Sequence, residues 1–431
     1  MISLFNLIRP DLVFISVWFM SLLFALNFSY FGLPTLKLNS PIVLYSIFIS
    51  LQYIIIFQTL KIFLKIPKSP NHNLMKIKYN KDQQRKLSNL AYLFFAFWAL
   101  IFFITTIIKG GFPSISIFFG NRVILYNNFN LPTISGLSNL FRILGCSLFG
   151  IYFLREFISF RKIKINTKLI IFLFVLFSPL ILTLSRGDQS CLLLVFLSTL
   201  VAFSEVKLNY KKIILFSFVF ILIVIIFICL FAAFQFLRIG SNELLMETLG
   251  DLDIYIKGLR FESNIKQLDF LTKGITGLVS FSFVTYFSGP INNINLKMIE
   301  APDFNFTFGF LNQIFPSFIR NIVTEKDYGS LLIDIFNTST FLDNYVKSFG
   351  VIGSLPSIFL IQFFSVYFYF KAYMGSLYFR IVYPVIFTAN FLAYFSDYFT
   401  ILTFILYPIL VLIYFKTIKK SFINLPLSYF R

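Results

Sequence analysis

The sequence predicts an all-α polytopic membrane protein with about 10 to 12 transmembrane helices and one large external loop between spans seven and eight. Of 431 residues, 58% are hydrophobic and only 13% are charged, more apolar side chain than a water-soluble fold can bury. Apolar runs of roughly 20 residues, enough to cross about 30 Å of hydrocarbon, recur along the chain. The basic residues are also confined to alternate connections.

The clearest runs are residues 12–31, 41–60, 88–108, 134–154, 169–184, 189–204, 213–236, 350–370, 381–396 and 398–415. The first is longer than the roughly 7–15 residues of a signal-peptide apolar region and no small-x-small cleavage site follows it, so it reads as a retained helix. Between runs two and three lie Lys61, Lys65, Lys68, Lys76, Lys78, Lys81, Arg85 and Lys86 against a single acid, Asp82, which marks that connection as cytoplasmic. Alternation from there puts both termini in the cytoplasm. The inner side then carries 23 basic and 4 acidic residues, the whole net charge of +19, while outer and intramembrane positions hold 14 of each sign. A basic balance distributed in this way is a topology signal and calls for no nucleic-acid partner.

Residues 1–431 read as one transmembrane domain, with 237–349 as a large external insertion. The parity of the flanking spans allows that insertion zero or two crossings. Its residues Leu245, Leu249, Leu252, Ile256 and Leu259 repeat at helical spacing among charged neighbours. This is the pattern of an amphipathic helix on the outer membrane surface or capping a cavity, or equally of a packing helix within the insertion. The apolar stretch 275–289 is short, interrupted by Gly277 and closed by Gly289-Pro290, which suits a re-entrant or interfacial segment. Cys146, Cys191 and Cys229 all fall inside spans and the single histidine, His72, falls in the cytoplasmic loop. No disulfide, metal site or cofactor is expected.

Chemistry is suggested by charge where topology disfavours it. An arginine at the helix centre costs about 2.5–3.5 kcal/mol on insertion scales and calls for a buried partner or an anionic ligand. Five stand out: Arg122 in the loop after span three, Arg142 inside span four, Arg186 in the turn Leu184-Ser185-Arg186-Gly187-Asp188, Arg238 at the end of span seven, and Arg320 after Phe315-Pro316-Ser317-Phe318-Ile319. Each alone serves equally well as a snorkelling anchor or an ion-pair partner. Together they suit a diphosphate, whose oxygens match guanidinium forks.

Several segments resemble the bacterial O-antigen polymerases (the Wzy family). They are Gly110-Gly111-Phe112-Pro113 followed by Arg122 and Tyr126, the turn Ser185-Arg186-Gly187, Tyr286-Phe287-Ser288-Gly289-Pro290, and Asn337-Thr338-Ser339-Thr340 leading to Asp343 and Gly350-Val351-Ile352-Gly353. No single motif is specific; their order and placement carry the resemblance. It implies an enzyme of the bacterial inner membrane that joins undecaprenyl-diphosphate-linked oligosaccharide units into a surface polysaccharide at the periplasmic face. A chain-length regulator protein is a further partner it allows.

In that chemistry an acceptor hydroxyl is positioned behind an anomeric carbon already activated by its diphosphate. The external carboxylates Asp188, Glu262, Asp334 and Asp343 are available to polarise the hydroxyl, and the sequence selects none of them. Tyr126, Tyr286 and Tyr328 are available to stack on sugar rings. Two other readings remain. The O-antigen ligases share topology and lipid donor but rely on a histidine in the large periplasmic loop, and residues 237–349 contain none. A lipid-oligosaccharide flippase or other transporter would account for polar residues in the bilayer, but the chain shows no internal repeat. A third architecture, with a catalytic acid in the first external loop, is disfavoured because residues 32–40 contain neither Asp nor Glu.

Overall fold

The structure, a computed structural model, describes residues 2–29, 36–67, 81–108, 141–142, 144–146, 148–153, 156, 165–183, 188–203, 207–208, 260–261, 274–307, 309, 340–394, 397, 399, 405–409 and 411–413. Apart from two two-residue antiparallel ladders these are helices, turns and loops. The helices are α1 (Pro10–Asn27), α2 (Pro41–Phe63), α3 (Lys81–Ile108), α4 (Thr167–Thr183), α5 (Asp188–Ala202), α6 (Gly274–Glu300), α7 (Leu342–Phe349), α8 (Leu355–Tyr373) and α9 (Leu377–Leu392). A further helical stretch covers Leu144–Phe153.

Among the described residues, three helical segments are long and apolar enough to cross a membrane: Pro41–Phe63, Gln84–Ile107 and Leu355–Tyr373. Their surfaces follow from that. Ile47, Phe48, Leu51, Ile54 and Ile55 on α2 and Leu360 and Phe364 on α8 are exposed, as lipid-facing side chains should be. Pro41 stands in the first turn of α2, where its missing N–H is no loss, and Lys61 lies in the last turn. Shorter apolar helices lie at Pro10–Leu26, Thr167–Ser178 and Leu377–Leu392.

Two groups of helices pack together. α1, α2, α6, α8 and α9 surround a core that includes Phe14, Trp18, Tyr53, Phe341, Tyr369 and Tyr383. α3, Leu144–Phe153, α4 and α5 are joined by rings, with Phe149 5.2 Å from Phe95 and 6.4 Å from Phe172, and Phe172 5.3 Å from Phe196. Gly145 faces the Phe95 ring so closely that a Cβ would lie 2.3 Å from it, which sets how near the stretch comes to α3. α5 packs on α9 and ties the two groups together.

The end of the bundle where α1 begins is locked by the amino-terminal segment. Arg9 forms a two-armed pair with Asp11, at 3.2 and 2.7 Å, and lies 4.1 Å from the Phe57 ring centroid. Tyr383 donates to the Ile8 carbonyl and Arg380 to the Ala372 carbonyl. Beside them Ile2–Ser3 (β1) pairs antiparallel with Lys207–Leu208 (β3). At the far end Phe28–Ser29 (β2) pairs antiparallel with Arg260–Phe261 (β4), so a short piece of the 237–349 segment is stitched to the end of α1.

One local expectation is corrected. The stretch 275–289 does not close at Gly289-Pro290: α6 runs through Gly277, Gly289 and Pro290 to Glu300, 27 residues or about 40 Å. A proline inside a helix costs about 3 kcal/mol, and burial of the flanking residues offsets it. Ile291, Ile294 and Met298 are buried, and the Phe287 ring stacks on Tyr394 at 5.1 Å. The repeat at 245–259 and the run 213–236 lie outside the described residues.

Candidate functional site

Between α1, α6 and the chain after α9 sits the eight-residue helix α7, whose Leu342, Asn344, Tyr345, Val346 and Ser348 are buried. Its lead-in plunges into the bundle. The Phe341 ring meets Phe14 and Trp18 at 5.8 and 5.7 Å, and its N–H donates to the Ala393 carbonyl. Trp18 stands nine residues from the end of α1, so Phe341 lies about 13 Å from that end of the helix. α7 starts at that depth and runs from there to the junction at Gly350, next to the start of α8.

One face of α7 carries an ion cluster. Lys297, near the end of α6, donates to Asp343 Oδ1 at 2.8 Å, and Lys347, one turn along α7, lies 3.4 Å from Asp343 Oδ2. The three side chains are 5%, 17% and 14% exposed, in the order Lys297, Asp343, Lys347. A neighbouring face meets Asp397, which is 3% exposed. Its carboxylate accepts from Asn344 Nδ2 at 2.9 Å, from the Phe399 N–H at 3.0 Å and from the Tyr345 hydroxyl. Burial, with the Asp397 charge beside it, holds that hydroxyl well above its ordinary pKa, so Tyr345 acts as a neutral donor.

An extended segment holds this helix in place. Asn305 and Thr307 donate from their backbones to the carbonyls of Phe349 and Ser348, and Val351 and Ile352 donate to those of Pro302 and Asp303. Asn305 Nδ2 adds a bond to the Lys347 carbonyl at 3.0 Å. Gly350 makes the junction possible: its φ of +80° and a Cβ that would stand 2.5 Å from the Pro302 oxygen both require glycine.

Below the cluster a second polar set crosses the middle of the bundle. Tyr53 donates to Asn390 Oδ1 at 2.8 Å, Asn390 Nδ2 donates to Ser365 at 3.2 Å, and Gln362 donates to the Ile49 carbonyl at 2.9 Å. These bonds satisfy polar groups where no water competes and join α2, α8 and α9.

Of the sequence-selected residues, the structure positions the side chains of Asp343 and Arg142. Arg142 is buried one turn before Cys146, and its neighbour Phe141 packs on Phe94 and Phe97 of α3, so it belongs to the other helix group. Asp188 is the first residue of α5 and Tyr286 lies within α6, both described in backbone only. Arg122, Arg186, Arg238, Arg320, Tyr126, Tyr328, Glu262 and Asp334 lie outside the described residues. The sequence reading did not single out Lys297 or Asp397. A lysine soon after an apolar run and an aspartate wedged between two such runs were the signals available. Among the described residues no group of three or more His, Cys, Asp or Glu has a metal-binding arrangement.

Compared with protein-family models, curated proteins and solved structures, the chain finds no match.

Proposed function

We propose that this protein is a membrane glycosyltransferase that polymerises oligosaccharide units carried on a polyprenyl diphosphate, working at the side of the membrane opposite its termini. The observation that supports the reading best is the concentration of ionisable side chains around α7. Lys297 and Asp397 are buried, and Asp343 and Lys347 partly buried, in a predominantly apolar bundle, within or beside the stretch from Asn337 to Gly353 that resembles the polymerases. Charges withdrawn from water in this way are costly and are typically retained where a charged substrate is handled. In this proposal about ten spans frame the site, residues 237–349 form its external insertion, both termini are cytoplasmic, and the host membrane is the bacterial inner membrane.

The reaction needs two services. The acceptor hydroxyl oxygen forms a bond to the anomeric carbon as the bond from that carbon to the diphosphate breaks, and the diphosphate leaves with the electron pair. The hydroxyl proton passes to a carboxylate, for which Asp188, Glu262, Asp334 and Asp343 are the candidates. Cationic side chains stabilise the departing diphosphate, a role proposed first for Arg186 and Arg238 and next for Arg122 and Arg320.

A second reading, a lipid-oligosaccharide flippase, draws on the polar set Tyr53, Gln362, Ser365 and Asn390 within the bundle. Deleting the gene in its host and separating the surface glycan on a gel distinguishes the two. Loss of a polymerase leaves a core bearing one repeat unit. Loss of a flippase or a ligase leaves no repeat on the core, and an unchanged ladder excludes all three.

A further inference from the structure

Asp343 is shared by two ammonium groups from different helices. Lys297 on α6 holds one carboxylate oxygen at 2.8 Å and Lys347 on α7 approaches the other at 3.4 Å, so the carboxylate bridges the two cations. The arms are unequal. The first has the length of a charge-assisted hydrogen bond, whereas the second is longer than the roughly 2.7–2.9 Å such bonds take. The looser arm is also on the more accessible side: Lys347 and Asp343 are 14% and 17% exposed and Lys297 is 5%.

A buried ammonium must be matched by an anion at all times, because removing its partner leaves an uncompensated charge in a low-dielectric interior. Asp343 meets that requirement in this structure. A phosphate offers several oxygens and bridges two ammoniums in the same way. The cluster also stands at a level where phosphates occur. Asn295, two residues before Lys297, accepts from the Ile42 N–H at the start of α2, and Ser354, at the start of α8, is 2.6 Å from the Tyr45 hydroxyl. The lysines therefore sit near the helix ends, the level of lipid phosphates.

We propose that Lys297 and Lys347 form a binding site for a phosphate-class anion, and that Asp343 is the resident anion which the ligand displaces. The choice of a lipid diphosphate as ligand rests on the polymerase reading; the site itself rests on the geometry. Displacement frees Asp343, one of the four carboxylates available to accept the hydroxyl proton, so arrival of the diphosphate and release of the base become one event.

The test is binding to the full-length protein in nanodiscs of zwitterionic lipid, with inorganic pyrophosphate in solution or a polyprenyl diphosphate in the bilayer as the probe. Lys347→Gln is expected to weaken binding about tenfold and Lys297→Gln at least as much. Asp343→Asn is expected to tighten it severalfold, because the competing anion is gone. A misfolded variant does not bind more tightly, so that increase separates the proposal from loss of structure. Saturation by the polyprenyl diphosphate alone identifies a lipid site, saturation by pyrophosphate alone a soluble-anion site, and response to both a site for the diphosphate group itself. Binding of neither probe overturns the proposal, as does an Asp343→Asn variant that binds with unchanged or lower affinity. None of these readouts requires polymer to be made, so the site and the polymerase reading fail independently.

Discussion

Lys297 and Asp343 are 46 residues apart in the chain, and their charged atoms meet at 2.8 Å. The contact fastens the end of the 27-residue helix α6 to the buried eight-residue helix α7. With Lys297 only 5% exposed, its ammonium depends on the carboxylate it shares with Lys347.

Removing the carboxylate alone should therefore cost more than removing it together with Lys297. Asp343→Leu, which removes the carboxylate that Lys297 and Lys347 share, is expected to destabilise the protein by about 3 kcal/mol, and the double variant Lys297→Met/Asp343→Leu, which keeps only the more accessible ammonium of Lys347, to recover all but about 1 kcal/mol of it. Reversible unfolding in mixed micelles measures both. A double variant no more stable than the single one would show that the pair is not the unit that matters.

Gly350 should tolerate no side chain. Gly350→Ala places a Cβ 2.5 Å from the Pro302 oxygen and 2.7 Å from that of Asp303 at a φ of +80°, with an expected loss of about 2–4 kcal/mol. Hydrogen exchange should report the damage first at the N–H groups of Asn305, Thr307, Val351 and Ile352, whose bonds cross the junction. Protection of those four at the parent level would count against the clip.

The Tyr53 bond to Asn390 is expected to contribute about 0.6 kcal/mol, the average for interhelical hydrogen bonds within membranes, and at most about 1.7 kcal/mol. Tyr53→Phe tests it with little change of shape. Because Asn390 also donates to Ser365, an Asn390→Leu variant should cost more than Tyr53→Phe.

Tyr345 gives a pH signature. Its hydroxyl is held above the ordinary value in the folded chain, so between about pH 10 and that higher value the unfolded state has released a proton that the folded state keeps. Its contribution to stability is constant below about pH 10 and falls as the pH rises. Tyr345→Phe removes this dependence, and the stability difference between parent and variant should change with pH only above about 10. A difference that varies equally between pH 7 and 9 would assign it to another group.

The arginines selected from the sequence are tested by exchange. Arg186→Ala and Arg238→Ala should each abolish polymer, and Arg→Lys at either site should fail as well, because an ammonium keeps the charge without the two-armed fork. Glycan length in a complemented deletion strain is the measurement, with membrane-inserted protein quantified in parallel. Full-length polymer from both lysine variants would leave helix anchoring as their role. Reporter fusions after Lys76, Lys164 and Lys420 should report cytoplasm and those after Arg122, Glu262 and Asp327 the other side.

By itself the sequence determined the class of this protein and the position of most of its described helices. Hydropathy is a local sum: runs of apolar residues at 41–60, 88–108, 169–184 and 350–370 become helices at Pro41–Phe63, Lys81–Ile108, Thr167–Thr183 and Leu355–Tyr373. Local rules misled where packing overrode them. Gly289-Pro290 reads as a helix stop, yet α6 passes through because Phe287, Ile291 and Ile294 are buried on both sides of it. Asp343 entered the candidate set through the order of its neighbouring segments, but nothing in the sequence tied it to Lys297 or brought Asp397 to Asn344, 53 residues away. Those pairings arise only when α6, α7 and the chain after α9 come together. A charge carries no local mark of its partner, and the pressure to find one appears only once the bundle removes it from water.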